Sequence, residues 1–136
     1  MRESELFGWM AALDELDLGS FEYISVHAPS RLRSMKESVA AELLLPCVER
    51  KWPVVLHPDT IGDYECWRDF GRWACIENMD NRKCSGRTSQ ELSLAFERLP
   101  EASFAWISVM RNRSTRLSAS PARCSAITGI GWYRSI

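Results

Sequence analysis

The chain contains two histidines, His27 and His57, and each directly follows a short apolar run, in Val26-His27-Ala28-Pro29 and in Leu56-His57-Pro58-Asp59. A third such run ends in an acid, Ile76-Glu77-Asn78. Two neutral imidazoles and a carboxylate form a three-ligand set for Zn²⁺ or Mn²⁺ that leaves a coordination position for water or substrate. One histidine in such a place is more often structural. Three strand ends each offering a ligand point instead to a metal site of His27, His57 and Glu77, with Glu77 also the candidate catalytic carboxylate. Arg82 and Lys83, in the stretch after Glu77, are the candidate substrate contacts if the substrate is anionic.

These residues need elements to bring them together. Leu6, Trp9, Met10 and Leu13 recur at helical spacing and predict a first helix ending near Gly19. Phe21 to Val26 reads as a strand closed by the turn residues His27-Ala28-Pro29-Ser30. A second helix is predicted over about Met35 to Arg50, with a kink or restart at Pro46, whose missing amide hydrogen interrupts the ladder. Val54-Val55-Leu56 is a buried strand, Asp63 to Phe70 a short helix stopped by Gly71, and Trp73 to Ile76 a strand that delivers Glu77. Thr88 with Glu91 three residues later matches a capping box, ahead of the apolar stripe Leu92, Ala95, Phe96 and Leu99 and the stop at Pro100. Helices alternating with strands, on connections too long for hairpins, predict an α/β fold with parallel strands and right-handed crossovers. Ligands at the carboxyl ends of parallel strands converge on one face, where chemistry in such folds collects.

With 136 residues, 46% hydrophobic and 26% charged, the composition is that of one ordinary globular domain. The near-neutral net charge of −1 gives no reason to expect an anionic membrane or nucleic acid as partner. That average conceals a break. Residues 1–104 carry 12 basic and 18 acidic side chains, whereas residues 105–136 carry five arginines and no acid. Five cysteines without a CxxC pair argue against a disulfide framework or zinc knuckle and predict reduced thiols in a cytoplasmic protein. The regular spacing of Cys66, Cys75 and Cys84 should place them on a helix, a strand and a loop. An acidic amino terminus is unlike a signal peptide, and no apolar run is long enough to span a bilayer.

The series VHAPS, VLHPDT and CIENMD at successive strand ends resembles the xylose isomerase-like TIM-barrel superfamily, which includes sugar isomerases and epimerases and phosphodiesterases of the endonuclease IV type. The resemblance covers about residues 20–100. It implies a partial (β/α)8 barrel of three to four parallel strands, a divalent metal on His27, His57 and Glu77, and a sugar or sugar phosphate as substrate. The chemistry implied is metal-assisted isomerisation or epimerisation, with a carboxylate moving the proton. In endonuclease IV-like members the corresponding ends read HAP, HPG and LEN, and the alternative implied is phosphodiester hydrolysis on nucleic acid. In either scheme Asn78 would support the metal-bound Glu77.

The same family pattern calls for Asp-x-x-His at the end of the next strand, where this chain reads Phe104-Ala105-Trp106-Ile107-Ser108-Val109-Met110-Arg111. Synonymous codons for that stretch, read from the third base of each, permit CLDLGHA. The final G of the single Trp106 codon followed by the AT of isoleucine gives Asp, and a C-ending valine codon before Met110 gives His. Residues 1–104 are therefore read as a partial barrel domain and residues 105–136 as an irregular, frameshifted tail. The competing reading is a basic arm whose five arginines and six serines contact phosphate. A closed eight-stranded barrel takes about 250 residues, so a chain of this length is expected to form about half of one. Such a half should be inactive and prone to self-association through exposed strand edges. A non-catalytic remnant is thus a third expectation.

Overall fold

The computed structural model of the chain describes residues 1–106. The elements run α1 (Glu3–Ala11), a 3-10 turn (Leu13–Glu15), β1 (Val26–His27), α2 (Glu37–Glu49), β2 (Val54–Leu56), a 3-10 segment (Tyr64–Trp73), β3 (Ala74–Glu77), α3 (Ser89–Arg98) and β4 (Ser103–Ala105). The four strands form one parallel sheet in the order β1-β2-β3-β4. Each strand therefore lies beside its predecessor in sequence, and the sheet is not closed. The α/β class with parallel strands agrees with the sequence reading. The expected tail lies outside the described residues from position 107 onward.

Alternation along the strands sorts the side chains onto two faces. Val26, Val54, Leu56, Ala74 and Ile76 join Leu6, Leu44, Cys47, Trp67 and Phe70 in the main core beneath the helices. Val55, Cys75 and Ala105 occupy the opposite face, where a partly buried Tyr23 packs against them. His27 and Glu77 fall on that second face by the same alternation.

Several predicted elements require correction. The first helix stops at Ala11 instead of near Gly19. Acids Glu3 and Glu5 suit its amino-terminal turn, but Asp14, Glu15 and Asp17 beyond it would oppose the helix dipole at a carboxyl terminus. The first strand spans Val26–His27 only, not Phe21 to Val26. Its partner explains the length. Pro53 accepts from the Val26 amide at 2.8 Å but has no N–H to donate, and β2 itself is only three residues long.

Pro46 does not restart α2, which runs as one helix through it. Leu44 and Cys47, both 0% exposed, pin the helix to the core on either side, and the Pro46 carbonyl still accepts from the Arg50 guanidinium at 2.9 Å. The helix ends with Lys51 at φ +60°, where Trp52 donates back to the Cys47 carbonyl at 2.9 Å. Asp63 to Phe70 is 3-10 rather than α-helical. Asp63 caps it by accepting from the Glu65 amide, and the 3-10 period stacks Trp67 and Phe70, at i and i+3, into the core. Gly71, at φ +50°, reverses the chain into β3. Before α3, Thr88 Oγ1 accepts from the Glu91 amide at 3.2 Å, as predicted, while the Glu91 carboxylate takes the Arg87 amide at 2.7 Å.

Candidate metal centre

His27 is the last residue of β1, His57 directly follows β2, and Glu77 is the last residue of β3. The register Leu56↔Ile76, carried one step on, sets His57 beside Glu77. Two carboxylates fix the loops that follow. Glu3 of α1 accepts from the Ser34 and Met35 amides and the Ser34 hydroxyl in the loop after β1. Glu37 of α2 accepts from the Gly62 and Asp63 amides in the loop after β2, and from Trp67 Nε1 at 2.7 Å. Four donors on Glu3, the Arg33, Ser34 and Met35 amides and the Ser34 hydroxyl, hold its carboxyl far below the usual range, at about 2.

The three sequence-predicted ligands come together. His27 Nδ1 lies 3.4 Å from His57 Nε2 and 3.6 Å from Glu77 Oε2, and His57 Nε2 lies 3.1 Å from Glu77 Oε2. Ligands 2.0–2.1 Å from a tetrahedral Zn²⁺ are separated by about 3.3 Å. The observed triangle therefore matches one face of that tetrahedron, with the fourth position left for another ligand. The side chains are 12%, 17% and 10% exposed. Although His57 Nε2 comes within 3.1 Å, Glu77 Oε2 is buried without a hydrogen-bond partner among the described residues. This oxygen and the two ring nitrogens lie close enough together for all three to contact one cation. The donor set and this orphaned oxygen both fit a divalent ion.

Burial lowers the pKa of His27, and the neighbouring His57 lowers it further against the opposing pull of Glu77. His27 is thus neutral at pH 7 and able to ligate. The far ring nitrogens, His27 Nε2 and His57 Nδ1, are buried and lack partners among the described residues. Ligating histidines usually donate that second N–H to a carboxylate or carbonyl, and no described residue takes that place here. None of the four described cysteines belongs to this cluster. Cys66, Cys75 and Cys84 fall on the 3-10 segment, β3 and a loop, close to expectation. Burial raises Cys47 and Cys75 to about 11; Cys66 also reaches about 11, first through desolvation and then through Asp63. All three are therefore protonated at neutral pH.

Arg82 and Lys83 lie in the loop after β3, as anticipated, but both are engaged. Arg82 pairs with Asp80 at 2.7 Å, and Lys83 Nζ pairs with Asp59 at 3.0 Å. Sequence reasoning did not single out Asp59, two residues past His57, the carboxylate that engages Lys83.

Fold and site together define an open parallel α/β sheet carrying a two-histidine, one-carboxylate metal-ligand cluster at its strand ends. Comparison with family models, curated proteins and solved structures finds no match. Among the described residues, no helix is long and apolar enough to cross a membrane.

Proposed function

We infer that the chain is part of a metal-dependent, sugar isomerase- or epimerase-like barrel protein, able to hold one divalent ion but not to complete a turnover. The observation that carries this reading is the 3.1–3.6 Å triangle of His27, His57 and Glu77. The sequential, all-parallel strand order supports it, because a barrel of this class adds each strand beside the last.

A bound ion would act as a Lewis acid on a carbonyl or hydroxyl oxygen. The two imidazoles hold it through neutral nitrogens, and Glu77 supplies the compensating charge. Burial of all three keeps water from competing for the ligand atoms.

Calorimetric titration of the chain with Zn²⁺ and Mn²⁺ tests the reading. Stoichiometric binding that disappears in His27→Ala, His57→Ala and Glu77→Gln supports it, and binding indifferent to all three substitutions overturns it. An accompanying assay for aldose–ketose interconversion and phosphodiester cleavage should find neither activity above the metal-only blank.

A further inference from the structure

Two buried polar atoms next to each other along the chain have complementary chemistry and no partner. His57 Nε2 is the nitrogen that approaches Glu77 Oε2 and His27 Nδ1, at 3.1 and 3.4 Å, so Nδ1 is its far nitrogen. His57 Nδ1 and Asp59 Oδ1 are both buried without a hydrogen-bond partner among the described residues. Only Pro58 separates the two residues, which keeps their Cα atoms within about 7 Å.

The backbone holds this pair in one short unit. Thr60 donates to the His57 carbonyl from both its amide and its hydroxyl, each at 2.9 Å, and closes a four-residue turn. Pro58 takes the second position, where its fixed φ suits such a turn. The Asp59 side chain is 9% exposed, and its other oxygen, Oδ2, accepts from Lys83 Nζ at 3.0 Å. Lys83 thus offsets the buried charge and leaves Oδ1 as a single acceptor.

Ligation decides what each atom must do. A neutral imidazole that ligates through Nε2 carries its proton on Nδ1. For His57 that N–H is a buried donor, and leaving it unmatched beside an unmatched carboxylate oxygen is costly to both. We propose that Asp59 is the positioning residue of the metal centre: with a divalent cation on the triad, His57 Nδ1–H donates to Asp59 Oδ1. The bond fixes the tautomer and orientation of the ring and raises its basicity as a ligand. Closing it uses the terminal torsions of the two side chains, which are broad, and keeps the turn and the Lys83 contact. The proposal rests on the metal reading of the triad and adds to it a residue outside the triad on which affinity depends.

Zinc affinity, measured on the full chain by competition with a chromophoric chelator, tests it together with proton NMR of the nitrogen-labelled, zinc-saturated protein. The unsubstituted protein should show a solvent-protected proton on His57 Nδ1. Asp59→Ala should weaken zinc binding about 10–100-fold and remove that resonance even at saturating zinc. Lys83→Met removes the ion pair but keeps the acceptor, so it should change zinc affinity by less than about threefold and retain the resonance. A role confined to tying the two loops together would instead make Lys83→Met as damaging as Asp59→Ala. If Asp59→Ala does not fold, Asp59→Asn keeps the shape with a weaker acceptor, and should move the resonance upfield and weaken zinc binding. A zinc complex of the unsubstituted protein without the protected proton, or affinity and resonance unmoved by substitution of Asp59, would overturn the proposal. Zinc binding that needs His27, His57 and Glu77 but ignores Asp59 refutes this proposal alone, whereas binding that ignores the triad refutes the metal reading beneath it.

Discussion

Replacing Glu77 by Gln should raise the stability of the metal-free protein and remove its stabilisation by Zn²⁺. In the metal-free state, Glu77 carries a carboxylate that is 10% exposed, with Oε2 unpartnered. Leaving such a group unsatisfied costs about 1–3 kcal/mol. Gln keeps the shape, has no charge to desolvate, and can donate from its amide to a ring nitrogen. A gain of about 1 kcal/mol is expected, equivalent to roughly 4 °C in Tm for a domain of this size. With Zn²⁺ the sign reverses. At a free concentration one hundred times Kd, the unsubstituted protein gains about 2.7 kcal/mol. If loss of the carboxylate weakens binding about a hundredfold, the variant gains only about 0.4 kcal/mol at the same concentration. Differential scanning calorimetry in EDTA and in buffered Zn²⁺ reads both effects, with His27→Ala as a control for zinc bound at cysteines. A Glu77→Gln protein that is less stable without metal, or that keeps its zinc-induced shift, would refute the argument.

Other consequences are more local. Glu3, held at about 2 against an ordinary 4.5, contributes stability that is fully present above pH 4.5 and is lost as the pH falls toward 2. Acid unfolding followed by tryptophan fluorescence should show a shallower dependence across that window in Glu3→Gln, and an unchanged profile would contradict the anchoring role. Lys51 holds a left-handed conformation at the end of α2 that glycine adopts without cost. Lys51→Gly should therefore stabilise the chain by about 0.5–1 kcal/mol in urea unfolding, contrary to the usual effect of adding glycine. Gly86→Ala should destabilise by at least about 1–3 kcal/mol, since φ is +77° and a Cβ would lie 2.8 Å from Pro58 Cγ and 2.9 Å from Met79 Cγ. A neutral result would mean that the loop after β3 yields more readily than its packing implies.

The strand order and the triad were legible because they rest on strong local signals. Val54-Val55-Leu56 between two prolines admits little but a buried strand, and a ligand type repeated at three strand ends has few structural explanations. Boundaries were less legible where a partner decides them. Nothing in Phe21 to Val26 reveals that β2 offers so short a ladder, and nothing around Pro46 reveals that Leu44 and Cys47 will clamp the helix across it. The period of Trp67 and Phe70 fits an α-helix and a 3-10 segment equally well, and tertiary burial chose the latter. At the site, Arg82 and Lys83 were recognised as cations, but their pairing with Asp80 and Asp59 is a through-space property that spacing does not encode. The proposed change of reading frame is a matter for the gene: its codons across Phe104 to Met110 should yield Asp-x-x-His in the alternative frame, and a stop codon or a different residue there would dismiss it.

The central claim is that His27, His57 and Glu77 together form a metal site, and X-ray absorption at the zinc edge of the protein loaded with one equivalent tests it most directly. Two imidazole nitrogens and a carboxylate oxygen at about 2.0–2.1 Å, completed by a light-atom ligand, are predicted. A shell containing sulfur at about 2.3 Å, or a spectrum unchanged by Glu77→Gln, would place the ion elsewhere and contradict the account.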